Sequence, residues 1–157
     1  YLERVAKIRE VLPDCGLTTD VIAGFSGETE QDHKDTLTLM EQVVFDSAFM
    51  FAYSERPGTL ASRKYPDDIP YELKTERLNE IIALQGRMSL KSNEKEIGRI
   101  LKVLVEGPSK KNPQELCGRA SSNKMCVFPS RGEKAGDYCL VKVESVTSAT
   151  LICSRID

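Results

Sequence analysis

Between Ile100 and Phe128 the chain reads ILKVLVEG, PSKKNPQ, ELCGRA, SSNK, MCVF, an apolar alternation broken twice by basic, turn-forming segments. Val103 and Val105 alternate with Lys102, Leu104 and Glu106, the two-residue period of a strand buried on one face. Gly107-Pro108 ends that strand, because Gly takes dihedrals closed to other residues and Pro has no N–H for a ladder. The same reasoning predicts five strands in all, over Arg99–Glu106, Leu116–Ala120, Met125–Phe128, Tyr138–Ser145 and Thr150–Ser154. Gly132 and Gly136 bracket the loop before the fourth, and Ser145–Ala149 has the look of a hairpin connection. Short strands joined by Gly, Pro, Ser and Asn turns suit a small closed barrel, since closure removes exposed edges. Lys110, Lys111, Arg119 and Lys124 fall on its loops and strand ends. Cations at a barrel rim suit a phosphate backbone, although surface lysines also serve solubility alone.

The charge is unevenly spread. Residues 1–92 hold 11 Lys and Arg against 16 Asp and Glu, and residues 93–157 hold 11 against 8, so the formal −2 is −5 in one part and +3 in the other. Such a split favours two units, with the second the better match for an anionic partner. A composition of 40% hydrophobic and 29% charged residues is that of a soluble globular chain. No apolar run approaches the roughly 20 residues of a membrane span, and no signal-peptide pattern opens the chain, so a cytoplasmic setting is expected. Cys15, Cys117, Cys126, Cys139 and Cys153 make no C-x-x-C pair, which argues against a metal or cluster site and against a disulfide framework.

The first part reads as α/β. Leu2, Val5, Ile8 and Leu12 lie near helical spacing and stop at Pro13-Asp14. With no start signal ahead of them, the chain reads as a piece of a longer protein that begins mid-fold. LTTDVIAGF, Leu17–Phe25, is an apolar strand, followed by the turn Gly24-Phe25-Ser26-Gly27. Thr29 and Asp32 are placed to cap a helix reciprocally, with Leu37, Met40 and Val44 as its apolar stripe. SAFMFAYS, Ser47–Ser54, is the next strand. Strand, helix, strand is a βαβ unit with a right-handed crossover, whose functional residues belong at the C-terminal strand ends, here Gly24–Glu28 and Tyr53–Thr59. A proline-punctuated linker, Tyr65–Pro70, leads into a long helix over Tyr71–Glu94 that connects the two units.

Single residues admit two readings each. The glycines of DVIAGFSGET suit either close backbone approach to an anion or an ordinary tight βα turn. Arg56, on the YSERPGT loop, suits a carboxylate or phosphate ligand, or a tie to Glu28 or Glu55. Asp20, inside a strand, either faces a cofactor or pairs with a Lys or Arg. Glu28 either orients a ribose hydroxyl or favours the helix dipole. His33, the single histidine, is expected at the surface. Phe49, Phe51 and Tyr53 share one side of their strand and are expected to be core, with Tyr53 alone near a site.

VLVEGPSKKNPQELCGRASSNKMCVFP closely resembles the TRAM domain that ends the tRNA methylthiotransferases, most of all those acting on N6-dimethylallyladenosine. T-D-V-I-A-G-F-x-G-E-T and F-x-Y-S-x-R-P-G-T resemble the last strands of the radical S-adenosylmethionine barrel in the same family. The resemblance implies the C-terminal part of a radical SAM (β/α) partial barrel over 1–66, a linker and connecting helix over 67–92, and a five-stranded, OB-like TRAM domain over 93–157. It implies a parent enzyme that converts N6-dimethylallyladenosine beside the tRNA anticodon to its 2-methylthio derivative, using S-adenosylmethionine and two 4Fe-4S clusters. It carries cofactor contacts onto Asp20, Gly24, Gly27, Glu28, Tyr53, Ser54 and Arg56, and RNA contacts onto Lys110, Lys111, Arg119, Asn123 and Lys124. The cluster motif C-x-x-x-C-x-x-C is missing, so no catalytic residue or metal ligand is assigned and the 157 residues alone are expected to be inactive. Two alternatives stand beside this reading. One is a methylthiotransferase acting on threonylcarbamoyl-adenosine or a ribosomal protein, and the other is a non-catalytic RNA-binding module.

Overall fold

The computed structural model describes residues 1–156. The first unit contains α1 (Leu2–Val11), β1 (Thr18–Ala23), α2 (Glu30–Val43) and β2 (Ser47–Ala52). β1 and β2 are parallel and in register from Thr18 opposite Ser47 to Ala23 opposite Ala52. Helix α2 starts where the sequence says it should: the Thr29 side chain accepts from the Asp32 N–H, and the Asp32 carboxylate accepts from the Thr29 N–H. Val44 ends it in a left-handed conformation, φ 52°.

A short helix, α3 (Leu60–Lys64), which the sequence reading does not anticipate, follows the YSERPGT loop and is capped by the Thr59 hydroxyl. The linker leads into α4 (Tyr71–Glu94). Near its start, α4 places Lys74 on the Tyr53 carbonyl (3.4 Å) and Arg77 on Glu28 (2.8 Å). Near its end, Gln85 reaches the Phe45 carbonyl (2.9 Å) and Ser89 the Asp46 carbonyl (2.8 Å). The helix therefore runs from the C-terminal ends of the strands back to their N-terminal ends.

Helices cover only one face of the two-stranded sheet. Ala23, Met40, Val43, Phe45, Ile81 and Leu84 are buried there, with Val21 and Met50 packed against them. The opposite face carries Asp20, Ile22, Phe49 and Phe51, all exposed. This corrects the expectation that the phenylalanines are core: Phe49 is 65% exposed and Phe51 54%. Alternation correctly separates them from Ala48 and Met50, but the covered face is the one with the smaller side chains. His33 is corrected in the other direction. It is buried, with Nε2 2.8 Å from a Glu80 oxygen, because α4 lies over the side of α2 that carries it.

The second unit is a closed barrel, in the order β3 (Ile100–Pro108), β4 (Glu115–Ala120), β5 (Met125–Pro129), β7 (Leu151–Arg155), β6 (Tyr138–Val146), with β6 returning to β3. Neighbours are antiparallel except β5 and β7, which are parallel. Inward positions on all five strands fill the interior, among them Val103, Leu116, Phe128, Val141 and Leu151. A Cβ on Gly118 would stand 2.2 Å from the Leu104 carbonyl oxygen, so this position has room for glycine alone. Bulges after Val105 and Val143 give the long strands the bend that closure needs.

The two units meet at the N-terminal ends of β1 and β2. Lys124 on the β4–β5 turn donates to the Ser92 carbonyl and hydroxyl at 3.0 Å and to Glu96 Oε1 at 3.1 Å. Asn93 Nδ2 donates to the Thr147 carbonyl at 2.8 Å, and Arg99 to Asp14 at 3.0 Å. Among the described residues, no helix is long and apolar enough to cross a membrane.

Candidate functional site

The C-terminal ends of β1 and β2 hold most of the residues that the sequence marks. A concavity of about 570 Å³ opens there, lined by Asp20, Ile22, Phe51, Tyr53, Ser54, Arg56 and Thr59, a size within the range of small-molecule sites. Asp20 and Arg56 are exposed on its wall, and neither forms an ion pair among the described residues. Arg56 therefore does not tie its loop to Glu28 or Glu55. Tyr53 is half-buried, its ring edge-on to Phe25 with centroids 4.9 Å apart.

The glycine turn is otherwise occupied. Gly24 N–H donates to Glu28 Oε2 at 2.9 Å, and Gly27 N–H donates to Asp68 Oδ1 at 2.8 Å. The other Glu28 oxygen receives Arg77 at 2.8 Å, with only 14% of the Glu28 side chain exposed. Both Glu28 oxygens are thus engaged, and the side chain ties the glycine turn to α4. Gly24 has φ 74°, and a Cβ there would lie 2.3 Å from Lys74 Cγ. Its smallness serves the packing of Lys74, whose ammonium reaches Asp67 at 2.5 Å. Of the seven residues marked for a cofactor, the structure gathers Asp20, Tyr53, Ser54 and Arg56 around the concavity and places Gly24, Gly27 and Glu28 in the neighbouring turn, hydrogen-bonded to one another, to the linker or to α4. The Ser26 hydroxyl in the same turn is buried without a hydrogen-bond partner, a polar atom that sequence reasoning passed over.

The cations of the barrel also divide. Lys110 and Lys111 are exposed on the β3–β4 loop and form no ion pair among the described residues. Arg119 is partly exposed, donating to Glu106 at 3.0 Å and to the Asn123 carbonyl at 3.0 Å. Asn123 supports that turn at φ 64°. Lys124 departs from the rim reading: only 10% of its side chain is exposed, and its charge is met by Glu96 and Asp46. Among the described residues, no group of three or more His, Cys, Asp or Glu is arranged to hold a metal ion.

Residues 94–153 match the TRAM domain family. Over 96% of its length the chain is 52% identical to a tRNA-2-methylthio-N(6)-dimethylallyladenosine synthase from Phocaeicola vulgatus, covering 33% of that protein. It is 50% identical to synthases of the same name from Porphyromonas gingivalis, over 96% of the chain, and Amoebophilus asiaticus, over 99%, again covering 33% of each. The chain thus spans about a third of the length of the curated relatives it matches. A solved structure, the apo form of Mycoplasma genitalium RNase R, aligns with 54% of this chain and 18% of its own at 12% identity, with a TM-score of 0.29, too loose a superposition to speak to the fold. Residues 94–153 thus match a TRAM domain, and over nearly all its length the chain is similar to a segment of the tRNA-2-methylthio-N(6)-dimethylallyladenosine synthases.

Proposed function

We propose that this chain is the RNA-holding and cofactor-flanking part of a cytoplasmic tRNA methylthiotransferase. The parent converts N6-dimethylallyladenosine beside the anticodon to its 2-methylthio derivative. The observation that carries the reading is the pairing, within one chain, of a TRAM barrel bearing unpaired lysines with a βα edge whose concavity holds an unpaired carboxylate and an unpaired guanidinium.

S-adenosylmethionine, together with two 4Fe-4S clusters held elsewhere in the parent, supplies the radical and sulfur chemistry when bound. The residues present suit its polar ends. Arg56 offers a fork for a carboxylate, Asp20 an acceptor for an ammonium or hydroxyl, and Phe51 and Tyr53 an apolar wall. The glycine turn contributes by fixing the ends of β1 and α2, not by offering free N–H groups. No cluster-binding motif lies in these residues, so the 157 residues by themselves bind and orient but do not turn over.

On the barrel, Lys110 and Lys111 on the β3–β4 loop are the phosphate contacts, with Arg119 and Asn123 further along β4, toward the β4–β5 turn. Replacing both lysines by glutamine is expected to weaken tRNA binding and to lower the salt slope of log K by about two, one for each phosphate that loses its cation. Binding unchanged in affinity and slope would remove the RNA-facing role from this loop. For the cofactor edge, Arg56→Ala in the full-length protein is expected to weaken S-adenosylmethionine binding in equilibrium dialysis, with tRNA affinity unaffected.

A further inference from the structure

Charge alone does not complete an RNA-binding surface, because unpaired bases also need something flat to lie against. Phe128 and Tyr138 are the aromatic residues between 93 and 157. Phe128 is 1% exposed inside the barrel, whereas Tyr138 is 62% exposed on its outer face. The register places Tyr138 opposite Leu104, and Leu104 opposite Arg119 on the next strand. One row across three strands thus joins the ring to Arg119, an arginine also marked for RNA contact. Two residues along β3, Lys102 holds its ammonium 4.6 Å from the centre of the Tyr138 ring. Arg119 is met by Glu106, and Lys142 lies 3.6 Å from Glu144. Lys102 forms no ion pair among the described residues, so its charge is available to a ligand.

Ile100, Leu104 and Leu140 are also open to solvent on this face, which raises the question of a protein partner. The core of a protein interface is depleted of charged residues, lysine above all. Here Lys102 lies opposite Leu140 and Lys142 opposite Ile100, so charge is interleaved with the aliphatics on both strands. That pattern fits a strand of alternating bases and phosphates better than it fits a dry interface.

We propose that Tyr138 is a stacking platform for an unpaired base of the RNA, with Lys102 holding the adjacent phosphate. The inference rests on the reading of the barrel as RNA-binding and adds to it a mode of contact. One ammonium covers one face of the ring, and the other face receives the base.

The test is fluorescence anisotropy of a labelled poly-uridine oligonucleotide with the full chain at several salt concentrations. Tyr138→Ala is expected to weaken binding about ten-fold at every salt concentration with the slope unchanged, because stacking releases no counterions. Tyr138→Phe keeps wild-type affinity, and Lys102→Gln lowers the slope by about one. If Tyr138→Ala binds like wild type while the Lys110 and Lys111 variants bind weakly, the platform is refuted and the RNA reading stands. If the unaltered chain binds no oligonucleotide, both fall. A self-association of the chain, seen in sedimentation and abolished by Tyr138→Ala, would reassign the face to protein contact and overturn the inference. Matching thermal melts establish that the variants are folded.

Discussion

The Lys124 ammonium lies 3.1 Å from Glu96 Oε1, with nine-tenths of each side chain buried, at the seam between the βα unit and the barrel. Asp46, at the start of β2, stands 3.5 Å from the same ammonium and also accepts from the Ser92 hydroxyl. One cation from the barrel thus answers carboxylates from two other elements. Removing it leaves Asp46 without a cation and Glu96 with Arg99 alone, at 3.0 Å, the expensive way to break a buried pair. Lys124→Met is expected to cost about 3 kcal/mol in urea unfolding, with little change in the salt slope of RNA binding. A large slope change with unaltered stability would return Lys124 to the RNA-facing set.

Gly24 and Gly27 both have positive φ, at 74° and 78°, yet only Gly24 is enclosed. Alanine at Gly27 meets nothing within 4 Å and incurs only left-handed strain, about 1 kcal/mol. Alanine at Gly24 adds a collision with the stem of Lys74, for a total of about 2–4 kcal/mol. Denaturant midpoints of the two variants measure the difference directly. Equal losses would mean that Lys74 moves aside freely.

The Thr29 hydroxyl and backbone N–H hold the Asp32 carboxyl below its ordinary value near 3.8. A lowered carboxylate stabilises the fold fully above its unfolded value, and that contribution is lost as pH falls through the folded one. Asp32→Asn is therefore expected to lower the melting temperature at neutral pH, and the gap to wild type is expected to close in strong acid. A gap independent of pH would show that the cap works through shape rather than charge.

Cys15 is exposed, Cys117 half-buried, and Cys126, Cys139 and Cys153 are buried in the barrel. Its hydrogen bond with Cys126, and then burial, push the Cys153 thiol up, and burial pushes Cys139 up. Because the thiolate is the reactive form, iodoacetamide at mildly alkaline pH is expected to label Cys15 first. Cys139 and Cys153 are expected to react only after unfolding. Peptide mass spectrometry over a time course reads the order, and early labelling of Cys153 would mean that the barrel opens.

The barrel was legible because its signal is local. Val103, Val105, Val141 and Val143 alternate with outward residues, and every predicted strand lies within two residues of an observed one. The capping pair Thr29–Asp32 and the span of α4 were legible for the same reason. What sequence could not supply was which face a distant element would cover. Alternation separates Phe49 and Phe51 from their neighbours but does not say that α4 lies on the other side. His33 reads as a surface residue until α4 is laid over it. Lys124 looks like one more basic turn residue until Glu96 and Asp46 arrive from elsewhere in the chain. Nor does the sequence show that Arg77 and Asp68, some 40 or more positions away, reach Glu28 and the Gly27 amide.

Helix α4 acts as a spar, its first turns lashed to Tyr53 and Glu28 and its last turn to the barrel. Strands of six residues keep those two anchorages about 20 Å apart. On the reading proposed above, the cofactor at the Asp20–Arg56 concavity and the RNA phosphates at Lys110 and Lys111 are held on different units, and the length of α4 sets how far an RNA held at the barrel must reach to meet the cofactor.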